Sequence, residues 1–88
     1  MVTVKRLVLD VLKPHQPNAL DFCREIAAIE PDYQVSLTVQ EIDEDTQTLQ
    51  LEIRGAAVEL GPIESTIASM GGSLHSIDQV EVVNDGDD

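Results

Sequence analysis

Hydrophobic and polar residues alternate along four stretches of the chain, residues 2–12, 33–40, 48–54 and 74–83. A period of two residues is typical of β-strands that bury one face. A short acidic turn joins the second stretch to the third, which predicts a β-hairpin. The fourth stretch alternates imperfectly, so we expect a β-bulge near Ser76.

Two other stretches have the period of an amphipathic helix. The first follows Asn18, a good N-cap residue, and has Asp21 in its first turn, where a carboxylate opposes the helix dipole. The second begins near Pro62, and Gly71 is expected to end it in the left-handed conformation. The predicted apolar stripes are Leu20, Phe22, Cys23, Ile26 and Ile29 in the first helix, and Ile63, Ile67 and Met70 in the second.

The elements therefore follow the order βαββαβ, which predicts an α+β, ferredoxin-like fold. Right-handed crossovers give a four-stranded antiparallel sheet in the order 4-1-3-2, with both helices on one face. The other face is then bare, in agreement with the clean alternation of the hairpin. We expect a single domain over residues 1–84 and an acidic tail over residues 85–88.

Length and cysteine content limit the class of protein. A chain of 88 residues has room for one hydrophobic core. Its single cysteine excludes an internal disulfide, and no signal-like apolar segment opens the sequence, so a cytoplasmic location is expected. No apolar run approaches the roughly 20 residues that cross a bilayer, and no membrane partner is expected.

The net charge of −12 is the unusual bulk property. Such a surface repels phosphate backbones, and the aromatic residues Phe22 and Tyr33 are expected to face the core rather than to stack on bases, so no nucleic-acid partner is expected. At ~1 M salt the screening length falls to ~3 Å, which makes this charge tolerable. The composition therefore favours a halophilic source over an ordinary acidic protein.

The predicted topology gathers polar side chains at one end of the sheet, where strand 1 ends, the hairpin turns and strand 4 begins. Carboxylates there favour Ca²⁺ or Mg²⁺, and an imidazole favours a transition metal. The alternative is a set of solvated turn residues, since neither EF-hand nor zinc spacing is present. The candidate metal ligands are Asp10, Glu41, Asp43 and His75, and the other candidate site residues are Arg6, Lys13, His15 and Asp78.

Individual candidates also have structural interpretations. Asp10 interrupts an apolar strand, and we expect it to form an ion pair with Arg6 on the bare face. His75 is interpreted either as a metal ligand or as a hydrogen-bonded strand histidine, and His15, between two prolines, is expected to be exposed. Asp78 is expected to cap or turn the bulge.

The sequence gives no indication of catalysis. Cys23 lies on an apolar helical stripe and is interpreted as a small core residue, because a nucleophilic thiol needs an activating base or cation beside it. Neither a G-x-G-x-x-G motif nor a phosphate-binding loop occurs. We therefore expect a protein that is not an enzyme.

Three segments carry a resemblance to a known family: L-D-V-L-K-P-H at residues 9–15, E-I-D at 41–43, and G-G-S-L-H-S-I-D-Q-V at 71–80. With them the chain resembles the short archaeal proteins grouped as domain-of-unknown-function family 211 (DUF211), over residues 5–83. The resemblance implies a ferredoxin-like subunit that forms ring-like homo-oligomers, and it implies no activity. The matching polar positions are Asp10, Lys13, Pro14, His15, Glu41, Asp43, His75, Ser76 and Asp78.

The chain departs from the family pattern in its heavier acidity, its Asp-rich tail and Gln79, where an acidic residue is more usual. The acidity indicates a haloarchaeal member, and Gln79 weakens any metal site that relies on a carboxylate at that position.

Together these observations predict a non-enzymatic protein that self-assembles into a homo-oligomer through strand edges and the bare sheet face. A divalent cation or a small ligand is expected at the hairpin end of the sheet. The alternative is a ligand-sensing regulatory module of the amino-acid-binding, ACT-like type. That type expects a Gly-rich turn after strand 1, and residues 13–17 contain no glycine.

Overall fold

The computed structural model describes residues 1–86 and has the predicted βαββαβ order. All neighbouring strands are antiparallel, and their order in the sheet is β2-β3-β1-β4, which is the expected 4-1-3-2 arrangement. The ferredoxin-like α+β prediction is confirmed. The elements are β1 (Val2–Pro14), α1 (Ala19–Ala27), β2 (Gln34–Ile42), β3 (Thr46–Arg54), α2 (Leu60–Ser69) and β4 (Ser73–Asn84).

One face of the sheet forms the core with both helices. The central strand β1 contributes the side chains that the alternation predicts, and the helices contribute their apolar stripes. Leu20 is an exception, because its side chain is 60% exposed. It lies two residues, or about 200° of helical rotation, from the buried Phe22. The buried apolar residues of this core are Leu7, Leu9, Val11, Phe22, Ile26, Tyr33, Leu49, Leu51, Ile53, Val58, Ile63 and Ile67.

The helix ends follow the predicted chemistry. Asn18 Oδ1 accepts a hydrogen bond of 2.8 Å from the amide of Asp21 at the start of α1. After α2, Gly71 has a φ of +83°, and the amide of Gly72 donates to the carbonyl of Ile67 at 2.9 Å. A Cβ atom on Gly71 would lie 3.3 Å from the ring of Pro14, so this turn also sits tightly against β1.

Strand β4 is irregular where the sequence predicts it. Its register against β1 shifts on either side of Ser76 and Ile77, leaving His75 and Asp78 as the extra, unpaired residues. The predicted bulge near Ser76 is confirmed, and there are two. Because a bulge re-aims side chains, both polar residues lose the strict alternation of the strand.

The alternation of β1 predicts that Val4, Val8 and Leu12 are exposed on the bare face, and this is correct for Leu12, which is 40% exposed. Val8 is only 4% exposed, and Val4 packs against the core because a third register shift lies at Lys5. Further exposed apolar side chains lie on the two outer strands. They are Val39 and Ile42 on β2, and Ile77, Val80, Val82 and Val83 on β4.

The end of the chain lies beside its beginning. The amide of Asp85 donates to the carbonyl of Met1 at 2.8 Å. The last two residues of the predicted acidic tail, Asp87 and Asp88, lie outside the described residues. Within residues 1–86 no helix is long and apolar enough to cross a membrane.

Candidate functional site

The bulged His75 is bonded to Asp10 on the bare face of the sheet. His75 Nδ1 lies 3.0 Å from Asp10 Oδ2, and the side chains are 78% and 22% exposed. An ionised carboxylate can only accept, so we assign the hydrogen to Nδ1. In the neutral imidazole, Nε2 then keeps its lone pair for another partner.

A cleft of about 310 Å³ opens beside this pair. It crosses the bare face, because its lining residues come from all four strands. Three of the four candidate metal ligands therefore share one cleft, at the end of the sheet that the topology predicts. The lining residues are Asp10, Val11, Leu12, Glu41, Thr48 and His75.

These three side chains do not close a metal site within one chain. Glu41 is on β2 and His75 is on β4, which are the two outer strands. Strands lie ~4.8 Å apart, so three spacings separate them by about 14 Å. Accordingly, residues 1–86 contain no group of three or more His, Cys, Asp or Glu side chains that could hold a metal ion.

Asp43 and His15 meet each other away from the cleft. His15 Nε2 lies 3.0 Å from the carbonyl oxygens of both Asp43 and Glu44. Both partners are acceptors, so Nε2 carries a hydrogen and donates it. His15 thus ties the loop after β1 to the hairpin turn, and it is half-buried rather than exposed.

Lys13 does not join the polar cluster. It continues the inward positions 7, 9 and 11 of β1, and its side chain is fully buried on the helix side. Nζ donates to the carbonyls of Pro14 at 2.7 Å and Pro17 at 2.6 Å, with His15 O at 3.4 Å. It also lies 5.9 Å from the centre of the Phe22 ring. Burial lowers the pKa of this ammonium group.

The predicted ion pair between Arg6 and Asp10 is wrong. Four residues of strand separate them by about 13 Å, beyond the reach of a direct contact. Arg6 instead bonds Glu52 on β3, whose carboxylate also pairs with Arg54 Nη2 at 2.9 Å. The hydrogen bond from Arg6 is the main cause that holds the pKa of Glu52 below its usual value. Glu52 pairs with Val8, so it is the diagonal neighbour of Arg6 in the β1–β3 pairing, whose register joins two strands distant in the chain.

Two further candidates have local partners. Ser76 Oγ donates to Asp78 Oδ1 at 2.7 Å, as expected for a residue that caps the bulge. Cys23 Sγ donates to the carbonyl of Val35 at 3.6 Å, and burial raises the pKa of its thiol. An activated thiol needs the opposite shift, so Cys23 behaves as a packing residue.

Comparison with known proteins gives the family. The family profile described as DUF211, Uncharacterized ArCR, matches residues 5–85. The chain is also similar to Uncharacterized protein MJ0319 of Methanocaldococcus jannaschii, with 38% identity over 77 residues, which is 88% of this chain and 79% of that protein. The chain therefore belongs to the archaeal family DUF211.

Proposed function

We propose that this protein is a non-enzymatic structural subunit that assembles with copies of itself into a closed ring through its two outer strands. The outer strands support this proposal because they are long and lack residues that protect a sheet edge. Strand β4 has 12 residues and β2 has 9, and neither contains the lysine or proline that commonly protects a sheet edge. Both outer strands also expose apolar side chains, which are Val39 and Ile42 on β2 and Ile77, Val80, Val82 and Val83 on β4.

The strand directions favour a head-to-tail contact. Because β1 is antiparallel to both β3 and β4, and β3 is antiparallel to β2, the outer strands β2 and β4 run in opposite directions. Strand β4 of one subunit can therefore extend the antiparallel sheet by pairing with β2 of the next. Such a contact uses two different surfaces, and it forms a ring when the rotation between successive subunits returns to the first subunit.

Charge sets the condition for assembly. Each subunit carries −12, which opposes association in dilute buffer. The edges themselves carry little of this charge, since Glu41 is the one ionised side chain of β2, and β4 adds Asp78 and Glu81. High salt screens the remaining repulsion, which supports assembly in a salt-rich cytoplasm.

Ligand sensing is less well supported as a primary role. The ACT-like alternative expects the turn after β1 to present backbone N–H groups to a ligand. Here the carbonyls of that turn converge on Lys13 Nζ instead. The half-buried thiol of Cys23, whose pKa is raised, likewise supports a non-catalytic protein.

Light scattering on edge variants tests the proposal. In ~1 M salt, we expect the wild type to have a mass that is a multiple of 9.6 kDa. Val80→Lys places a charge on the open edge of β4 and should reduce the mass to one chain, with an unchanged circular dichroism spectrum. Leu20→Lys is the matched control, because it introduces the same charge at an exposed apolar position of α1 that belongs to neither outer strand. A monomeric wild type, or a Val80→Lys variant that assembles normally, would contradict the proposal.

A further inference from the structure

We infer that the joint between neighbouring subunits binds a divalent transition-metal ion. His75 Nε2 of one subunit and a carboxylate from Glu41 of the partner subunit are the ligands, and Asp10 orients the imidazole. This inference rests on the ring assembly proposed above. It adds a ligand class and a site to a contact that otherwise consists of backbone pairing and apolar side chains.

The two ligands lie near one row of the sheet, at opposite edges. Leu12 pairs with Thr48 on one side and Ser73 on the other, and Thr48 pairs with Glu41. Glu41 and Ser73 thus lie on one row of the sheet, at opposite edges and about 14 Å apart.

Joining β4 to β2 of the next subunit removes that separation. When the joined strands keep the same row, Glu41 of the partner subunit lies one strand spacing, ~4.8 Å, from the start of β4. His75 is two residues from Ser73, and its side chain is 78% exposed. The ligands that one chain holds at opposite edges therefore become neighbours at the joint.

The Asp10–His75 pair contains the hydrogen bond that metal-binding histidines commonly make. Histidines that bind metals usually donate their other ring N–H to a carboxylate or carbonyl, which fixes the tautomer and the direction of the lone pair. His75 already has this arrangement, with Nδ1 on Asp10 Oδ2 at 3.0 Å. Nε2 is thereby prepared as a ligand. An imidazole with carboxylate oxygen suits Zn²⁺, Co²⁺ or Ni²⁺ better than Ca²⁺ or Mg²⁺, which take oxygen ligands.

Calorimetric titration of the untagged protein with Zn²⁺ tests the site, with the mass measured on the same samples. His75→Ala should weaken Zn²⁺ binding by more than tenfold, and Asp10→Asn by about tenfold, since loss of an orienting partner typically costs 10–100-fold in metal affinity. His15→Ala is the matched control. It removes the other histidine of the chain, whose Nε2 is occupied by two carbonyls, and should leave Zn²⁺ binding unchanged.

A mixing experiment shows whether the two ligands come from different chains. His75→Ala and Glu41→Gln subunits each lack one ligand, so each assembly alone should bind Zn²⁺ weakly. In a co-refolded 1:1 mixture, about a quarter of the joints pair an intact His75 with an intact Glu41, because each joint takes its two sides from two chains. Wild-type affinity should return at that fraction of sites.

The outcomes separate the two proposals. A ring that binds Zn²⁺ equally well with and without His75, or that binds Ca²⁺ tightly and Zn²⁺ weakly, overturns the metal site and leaves the assembly standing. Tight binding that is lost in both variants and does not return on mixing overturns the shared origin of the ligands. A wild type of one-chain mass overturns the assembly and, with it, the joint.

Discussion

Replacing Lys13 by methionine tests the account of the loop that follows β1. Lys13 is fully buried, and its Nζ makes two short hydrogen bonds to the carbonyls of Pro14 and Pro17. Methionine reproduces the lysine side chain as far as Cε and lacks Nζ. The change therefore removes the ammonium group and its bonds with little change in packing volume.

The expected size of the effect is a balance of two contributions. A hydrogen bond to a charged group contributes ~1.5–3 kcal/mol, so the two short bonds contribute ~3–6 kcal/mol. Burying the ammonium group costs several kcal/mol, in agreement with its lowered pKa. We expect the free energy of unfolding to fall by ~1–3 kcal/mol, which lowers Tm by roughly 5–20 °C in a domain of this size.

Guanidinium titration followed by circular dichroism, in a high-salt buffer, measures this change. Lys5→Met is the matched control, because Lys5 Nζ bonds a single exposed carbonyl, that of Ala56, at 2.8 Å. We expect the control to lose less than about 1 kcal/mol, because this bond is exposed and water can replace it. A Lys13→Met protein as stable as the wild type, or more stable, would refute a stabilising role of the ammonium group.

The pH dependence gives a second test of the same residue. Lysine in the unfolded chain keeps its proton up to about 10.5, whereas the folded protein releases it at a lower pH. Between these two values folding releases a proton, so raising the pH favours the folded state. The stability of the wild type relative to Lys13→Met should therefore rise with pH in this window and stay constant below it. A difference that falls with pH would show that the sign is wrong.

Three further predictions concern low pH, low salt concentration and the left-handed conformation of Gly71. Arg6 lowers the pKa of Glu52, so its stabilising effect is complete above pH about 4.5 and is lost as pH falls toward the lowered pKa; Arg6→Gln should flatten this loss in urea titrations. Dialysis from ~1 M to ~0.01 M salt lengthens the screening length from ~3 to ~30 Å, so we expect repulsion among the acidic residues to unfold the protein. An unchanged circular dichroism spectrum would count against this prediction. Gly71→Ala should cost ~1–2 kcal/mol at a φ of +83°, and an unshifted denaturation midpoint would contradict it.

The fold could be predicted because its determinants are local. The alternation of β1 places Leu7, Leu9 and Val11 on one face whatever the partner strands are. The cap at Asn18 and the left-handed Gly71 mark helix ends by their own backbone chemistry. Element order and the handedness of crossovers then leave one sheet order.

The site was predictable in location and less so in detail. Sheet order already separates β2 from β4, so the distance between Glu41 and His75 follows from the same topology that brings both residues to the hairpin end. The bond between His75 and Asp10 depends on a bulge at His75 itself. Bulge positions come from the register of two distant strands, which local alternation does not determine.

Lys13 shows that residue type alone can indicate the wrong burial. Its position continues the buried face of β1, but a lysine there is usually interpreted as an exposed side chain. Its burial depends on a loop whose carbonyls turn inward to accept from Nζ. That loop conformation is set by contacts such as His15 with the hairpin turn, which join residues 28 and 29 positions apart.

Amide hydrogen exchange of the assembled protein tests the central claim, that β4 of one subunit pairs with β2 of the next, most directly. We predict that the amides of β2 and β4 are protected from exchange in the wild type at high salt. In Val80→Lys, the β2 and β4 amides that point away from the sheet should exchange rapidly, while the amides of β1 and β3 stay protected. Rapid exchange of the outer-strand amides in a wild type that is nonetheless oligomeric would contradict edge pairing.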